Sequence, residues 1–145
     1  MNKINQILIH VIIPMIIGGM IYIVFRDKNL IMYNWFNKIG ILDFIDYLRQ
    51  IFSNSIILPN WIKFNLPDGI WTYSLTSLML IIWYKETEFF LFLYLFIPIL
   101  CFMFELGQLI KMIPGTYDHT DLAFIIIATI LPHIFINKNK AHNNE

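Results

Sequence analysis

Six polar residues sit at the ends of the longest apolar runs of this chain. Asp68 stands just before the run 69–84, Glu105 and Gln108 lie near the end of the run 89–110, and Asp118, His119 and Asp121 stand just before the run 122–137. These residue types support three kinds of chemistry. Paired carboxyls do general acid–base work if burial raises the pKa of one of them. Carboxylates joined by His119 could hold a hard cation or zinc. Carboxylates with an amide also hold sugar hydroxyls or ammonium groups through charge-assisted hydrogen bonds, and Trp71 and Tyr117 could stack beside such a ligand. No spacing here matches a metal signature, and there is no glycine-rich phosphate loop. No serine–histidine or cysteine–histidine arrangement supports acyl transfer. The reading therefore assigns no metal, no cofactor and no catalytic residue, and it leans away from an enzyme.

Each residue also has a plainer role. Asp118 before an apolar run reads as a helix cap, with Asp121 answering it. Asp68 in Leu66-Pro67-Asp68-Gly69 reads as turn and cap chemistry. Glu105 could pair with Arg26, Arg49 or Lys111, and Gln108 could join two helices. Ser74, Thr76 and Ser77 read as helix–helix contacts, and His10 and His133 as packed or interfacial groups near the opposite face.

The elements that position these residues follow from where charge is absent. The chain has 145 residues, of which 58% are hydrophobic and 14% charged, against roughly 45–50% and 25% in soluble proteins. Ten basic and ten acidic side chains cancel. A domain this small has too little interior for so much apolar surface, and zero net charge removes the repulsion that keeps proteins apart in water. The composition argues against a soluble enzyme, a disordered chain and a basic nucleic-acid binder. It points to one all-α integral membrane domain over residues 1–145. Its bundle has four transmembrane helices at about 4–25, 69–84, 89–110 and 122–137, since a span needs about 20 mostly apolar residues. The first run is longer than a signal-peptide core and no cleavage site follows it, so it is expected to stay as a helix. Pro14 and Gly18-Gly19 would kink it or admit a close neighbour. Between the first and second spans, Ile41, Leu42, Phe44, Ile45, Leu48, Ile51 and Phe52 recur at helical spacing, which predicts an amphipathic, interfacial helix within the region 26–68. Trp35, Trp61, Trp71, Trp83 and Tyr84 near segment ends suit the headgroup level. The single cysteine, Cys101, cannot form an intrachain disulfide.

Four crossings put both termini on one side, and the density of Lys3, Lys85, Lys138 and Lys140 places that side in the cytoplasm. Alternating helix direction then brings Asp68, Glu105, Gln108, Asp118, His119 and Asp121 to the opposite face. Glu105 lies roughly 7–8 Å inside the end of its run, at 1.5 Å per residue. A charge at a helix centre costs about 2.5–3.5 kcal/mol on insertion scales, so such groups face an interior or a wet cavity. The expectation is one polar cavity open to the non-cytoplasmic side.

Glu105-Leu106-Gly107-Gln108 followed by Pro114-Gly115-Thr116-Tyr117-Asp118-His119-Thr120-Asp121-Leu122 resembles the VanZ-like family of small bacterial membrane proteins, whose pattern is E-x-x-Q, a short loop with glycine, then D-x-x-D. Leu66-Pro67-Asp68-Gly69-Ile70-Trp71-Thr72-Tyr73 also resembles relatives of that family. The resemblance covers about residues 60–136. It implies a multi-pass bundle in the bacterial cell (inner) membrane, with a link to the cell envelope and to glycopeptide antibiotic resistance. Three functions are expected from residues and resemblance together. The first is binding or shielding of an envelope component: a lipid headgroup, a lipid-linked glycan or a glycopeptide drug. The second is a partner or structural subunit of a larger membrane complex. The third is a membrane enzyme acting on a lipid headgroup. The expected partners are membrane lipids, a lipid-linked envelope ligand or another membrane protein, and no nucleic acid.

Overall fold

The computed structural model describes residues 2–56, 58–84, 89–113 and 117–141. The charged run Lys85-Glu86-Thr87-Glu88, the loop Pro114-Gly115-Thr116 and the tail 142–145 lie outside the described residues. The described chain is helical, with no strand among the described residues. The helices are α1 (Lys3–Phe25), α2 (Ile31–Lys38), α3 (Leu42–Ser55), α4 (Asn60–Phe64), α5 (Leu66–Trp83), α6 (Phe90–Leu109) and α7 (His119–Ala141).

Three of these helices are long and apolar enough to cross a membrane: α1, α6 and the Lys138-free part of α7, His119–Ile136. Their apolar side chains point outward. Ile16, Phe92 and Ile126 are exposed, a surface suited to lipid and costly in water. The Asn2 side chain caps α1 by accepting from the Asn5 backbone N–H at 2.8 Å. Pro14 lacks an N–H to give the preceding turn. Immediately before it, Leu8–Ile12 form a π-helical turn, the local widening that proline and inserted residues produce.

The expected second span, 69–84, takes a different form. As α5 it begins three residues earlier, at Leu66, with Pro67 in its first turn. It is not among the three helices apolar enough to cross by composition. The physical reason is its place. It packs against α1, α6 and α7, so other helices, not lipid, cover its surface. Thr72, Ser74, Thr76, Ser77 and Leu80 are fully buried there. The hydroxyls of Ser74 and Thr76 are satisfied at low cost: Ser74 donates to Ile70 O at 2.8 Å, and Thr76 to Thr72 O at 2.7 Å and Ala128 O at 3.4 Å. The last bond joins α5 to α7, as expected of an interhelical hydroxyl.

Gly18 is where α1 meets this central helix. A Cβ there would lie 2.9 Å from Trp71 Nε1 and 3.2 Å from Ile70 Cγ2, whereas a Cβ at Gly19 would meet nothing within 4 Å. Gly18→Val should therefore cost roughly 1–3 kcal/mol by overpacking, and Gly19→Ala should cost nothing. Thermal melts of the two variants in the same detergent check this. Equal melting temperatures would contradict the close approach.

Val11, Leu80, Ile81, Tyr94 and Ile136 form the apolar core at one end of the bundle. At that end His10 Nδ1 lies 2.6 Å from the Tyr73 hydroxyl, and the His133 ring packs on Tyr94 at 4.8 Å. Both histidines are thus packed, as expected. Among the described residues, no second such cluster forms at the other end.

The region 26–68 holds three helices where one was expected. In α3, Ile45 is buried, while Phe44, Tyr47, Ile51 and Phe52 are exposed. The helix is held to α1 by polar contacts instead. Arg49 Nη1 donates to Ile23 O at 2.6 Å, to Arg26 O at 2.8 Å and to the Tyr33 hydroxyl at 2.5 Å, and Lys28 pairs with Asp46 at 2.6 Å. A guanidinium at the C-terminus of α1 satisfies carbonyls that the helix leaves open and opposes its dipole.

Candidate functional site

At the end away from the apolar core, the ends of α1, α5, α6 and α7 surround a cavity of about 680 Å3. Four carboxyl side chains line it, Asp68, Glu105, Asp118 and Asp121, together with Gln108 and Trp71. These are six of the eight residues expected at the site, and the structure brings them together from three helices. The volume falls within the roughly 300–1,000 Å3 of small-molecule sites.

Asp68 enters from the first turn of α5. Its carboxylate lies 3.5 Å from Arg26 Nη2, which also donates to Phe64 O at 2.8 Å. The guanidinium is further held over the Tyr22 ring at 5.1 Å and the Phe64 ring at 5.4 Å. Trp71, one turn along α5, packs on Tyr22 at 5.0 Å. Glu105 and Gln108 come from the last turns of α6. That helix closes with Lys111 in the left-handed region at φ 59°. Lys111 N–H bonds to Gln108 O at 3.0 Å and Met112 N–H to Gly107 O at 2.9 Å, the paired closure of a Schellman motif.

Asp118 performs the capping expected of it. Its Oδ1 accepts from Thr120 N–H at 2.9 Å and from the Thr120 hydroxyl at 2.8 Å. These two bonds, with a third from Asn65, hold its carboxyl below the usual carboxylate range. Asp121 does not complete a capping box. Both carboxylates instead share one amide: Asn65 Nδ2 donates to Asp118 Oδ2 and to Asp121 Oδ1, each at 2.9 Å. Asn65 thus ties the start of α5 to the start of α7. Removing it leaves two carboxylates without that donor, at about 1–3 kcal/mol for the lost satisfaction. Asn65→Ala should lower the melting temperature accordingly, and Asn65→Gln should recover part of the loss. An unchanged melt in the alanine variant would show that the bridge carries no weight.

Glu105 is the exception among the four acids. It is only 8% exposed, and its Oε2 has no hydrogen-bond partner among the described residues. The cations proposed for it are engaged elsewhere: Arg49 on the α1 carbonyls, Arg26 on Asp68 and Phe64. Lys111 makes no ion pair among the described residues. A buried oxygen without a partner is costly in a bundle interior, and Glu105 is one of the residues that line the cavity.

Tyr117 and His119 are placed differently from the expectation. They do not line the cavity. The Tyr117 hydroxyl lies 2.9 Å from His119 Nδ1 with the rings edge to face at 4.8 Å, so each occupies the other. Sequence reasoning missed Tyr22, Asn60, Phe64 and Asn65, and treated Arg26 only as a flanking charge or a partner of Glu105. Among the described residues, no three His, Cys, Asp or Glu side chains converge closely enough to hold a metal ion.

No protein-family model, curated protein or solved structure matches this chain.

Proposed function

We propose that the protein is a bacterial cell-membrane protein that binds the amine-bearing headgroup of an envelope component in this acidic cavity. The observation that carries the reading is the imbalance of the cavity. Four carboxyls line the cavity with one guanidinium, and the most buried carboxyl, Glu105, has an oxygen with no partner among the described residues. An ammonium group with its three donors complements such a site. Binding rather than turnover is what these groups support. The motif's likeness to the VanZ-like family agrees with an envelope ligand.

The same reading takes α5 as a fourth crossing. Its 18 residues span roughly 27 Å at 1.5 Å per residue, close to the ~30 Å hydrocarbon core. The exposed Trp35, Ile39 and Phe44 of the 26–68 region then lie in the interface beside the cavity mouth. Both termini are cytoplasmic and the cavity opens outward. In a Cys101→Ser background, Asn29→Cys should react with an impermeant maleimide added to intact cells, and Lys85→Cys should react only after lysis. The opposite pattern would reverse the orientation.

The binding itself is tested by neutral replacements. Glu105→Gln, Asp121→Asn and Asp118→Asn should each weaken retention of an amine-headed lipid at unchanged membrane abundance. Full retention in all three would refute the polar site and favour a partner subunit that docks through the exposed aromatic region.

A further inference from the structure

The acidic cavity does not end at its carboxylates. A second hollow of about 330 Å3 shares Asp68, Trp71, Glu105, Gln108 and Asp121 with it, and continues between α5, α6 and α7. Beyond the shared residues its walls are Thr72, Leu75, Cys101, Phe104 and Ile125. Thr72 is turned away from ligand chemistry, since its hydroxyl donates to Asp68 O at 2.8 Å and lies 3.6 Å from Cys101 Sγ. The remaining wall is apolar. Phe104 is exposed on the outer surface of α6, so this side lobe reaches the face that α6 presents to lipid.

We infer that the ligand is a single amphiphile, with its amine-bearing headgroup among the carboxylates and a hydrocarbon chain in the side lobe. A headgroup alone would leave the wall of Leu75, Phe104 and Ile125 without an apolar partner. A hydrocarbon chain fills the lobe and buries apolar surface. Glu105, nine-tenths buried at the junction of the two hollows, sits where headgroup and chain meet. The ligand therefore enters sideways from the bilayer between α5 and α6, and not from water. The inference rests on the proposed headgroup binding and adds the chain to it.

The only cysteine of the chain lies in the wall of the lobe and reports on it directly. Full-length protein in dioleoylphosphatidylglycerol nanodiscs is treated with N-ethylmaleimide, and Cys101 alkylation is followed by mass spectrometry. Three additives are compared: lysophosphatidylethanolamine, lysophosphatidylglycerol and free ethanolamine. At ten times its Kd a ligand leaves about one-tenth of sites open, so lysophosphatidylethanolamine should slow alkylation about ten-fold. The chain without the amine and the amine without the chain should leave the rate near its starting value. Glu105→Gln should cut the protection to about two-fold or less. Leu75→Cys in a Cys101→Ser chain should repeat the pattern from the α5 wall.

Two failures are distinguishable. If lysophosphatidylethanolamine binds in a Glu105-dependent way, seen as an adduct in native mass spectra, while alkylation at both positions is unchanged, the chain lies elsewhere. The lobe inference is then overturned and headgroup binding stands. If no additive binds in a Glu105-dependent way, the headgroup reading falls and the lobe inference falls with it.

Discussion

Glu105→Gln should weaken binding of an amine-headed lipid by about 10- to 100-fold, the loss of one charge-assisted hydrogen bond worth about 1.5–3 kcal/mol. The same substitution should leave the fold intact or make it more stable, by on the order of 1 kcal/mol, because functional sites hold strain that neutral replacements release. The structural basis is specific. Glu105 shares its cavity with three other carboxyls, and the single cation there is paired with Asp68. Glutamine keeps the shape and removes the charge. The opposed signs make the test decisive between roles. A glutamate kept to hold the bundle together would lose stability on neutralisation, and binding would follow the loss of fold. Parallel thermal melts and lipid titrations of one preparation separate the two. Lower stability together with proportionally weaker binding would assign Glu105 to the scaffold.

The second large effect is expected at Arg49, which lies outside the cavity. Its guanidinium bonds to Ile23 O, Arg26 O and the Tyr33 hydroxyl, joining α3 and α2 to the end of α1. Tyr33 is itself buried and donates to Ile23 O at 2.6 Å, so one carbonyl receives both side chains. Arg49→Met keeps much of the apolar stem and removes every donor. The cost should be about 3 kcal/mol, two hydrogen bonds to a charged group at about 1.5 kcal/mol or more each. The loss should be local. The α2–α3 arm should detach from α1 while the α5–α7 core stays folded, because Tyr33 and Ile45 are its only buried hydrophobic side chains among the described residues. Limited proteolysis should then cut between residues 26 and 59 well before it cuts the bundle. Arg49→Lys should restore little, since an ammonium cannot present the planar fork to several acceptors. Uniform resistance to protease in Arg49→Met would show that exposed residues of the arm, and not this strap, hold it in place.

Much of this organisation was legible in the sequence. Gaps between charges located the long apolar helices within a few residues. Their alternating direction placed Asp68, Glu105, Gln108, Asp118 and Asp121 at one end, where they line one cavity. Gly18 was legible as a point of close approach, though only the packing of Trp71 separates it from Gly19. The stripe through Ile45 and Leu48 revealed α3, but not what fastens it. Periodicity registers apolar burial, and the fastening is a guanidinium on carbonyls 23 to 26 residues away in sequence.

The missed residues share a cause. Asn65 stands between Pro59 and Pro67, where an asparagine reads as turn chemistry. Its partners, Asp118 and Asp121, are 53 and 56 positions further along, and no local pattern announces them. Arg26 reads as a charge that ends a span, and its pairing with Asp68 depends on how α1 and α5 meet. Tyr117 and His119 failed as cavity residues for the opposite reason. Two positions apart, they are close enough to satisfy each other. Segment 69–84 was found, but its share of Thr and Ser measured how thoroughly its neighbours cover it, not whether it spans.

Acidic recognition of an amine headgroup is tested most directly by native mass spectrometry of the full chain released from nanodiscs of equal phosphatidylethanolamine and phosphatidylglycerol. The predicted result is a retained phosphatidylethanolamine adduct on the natural sequence, about ten-fold over phosphatidylglycerol, and no such preference in Glu105→Gln or Asp121→Asn. Equal retention of the two lipids by the natural sequence, or a preference that survives both substitutions, would contradict it.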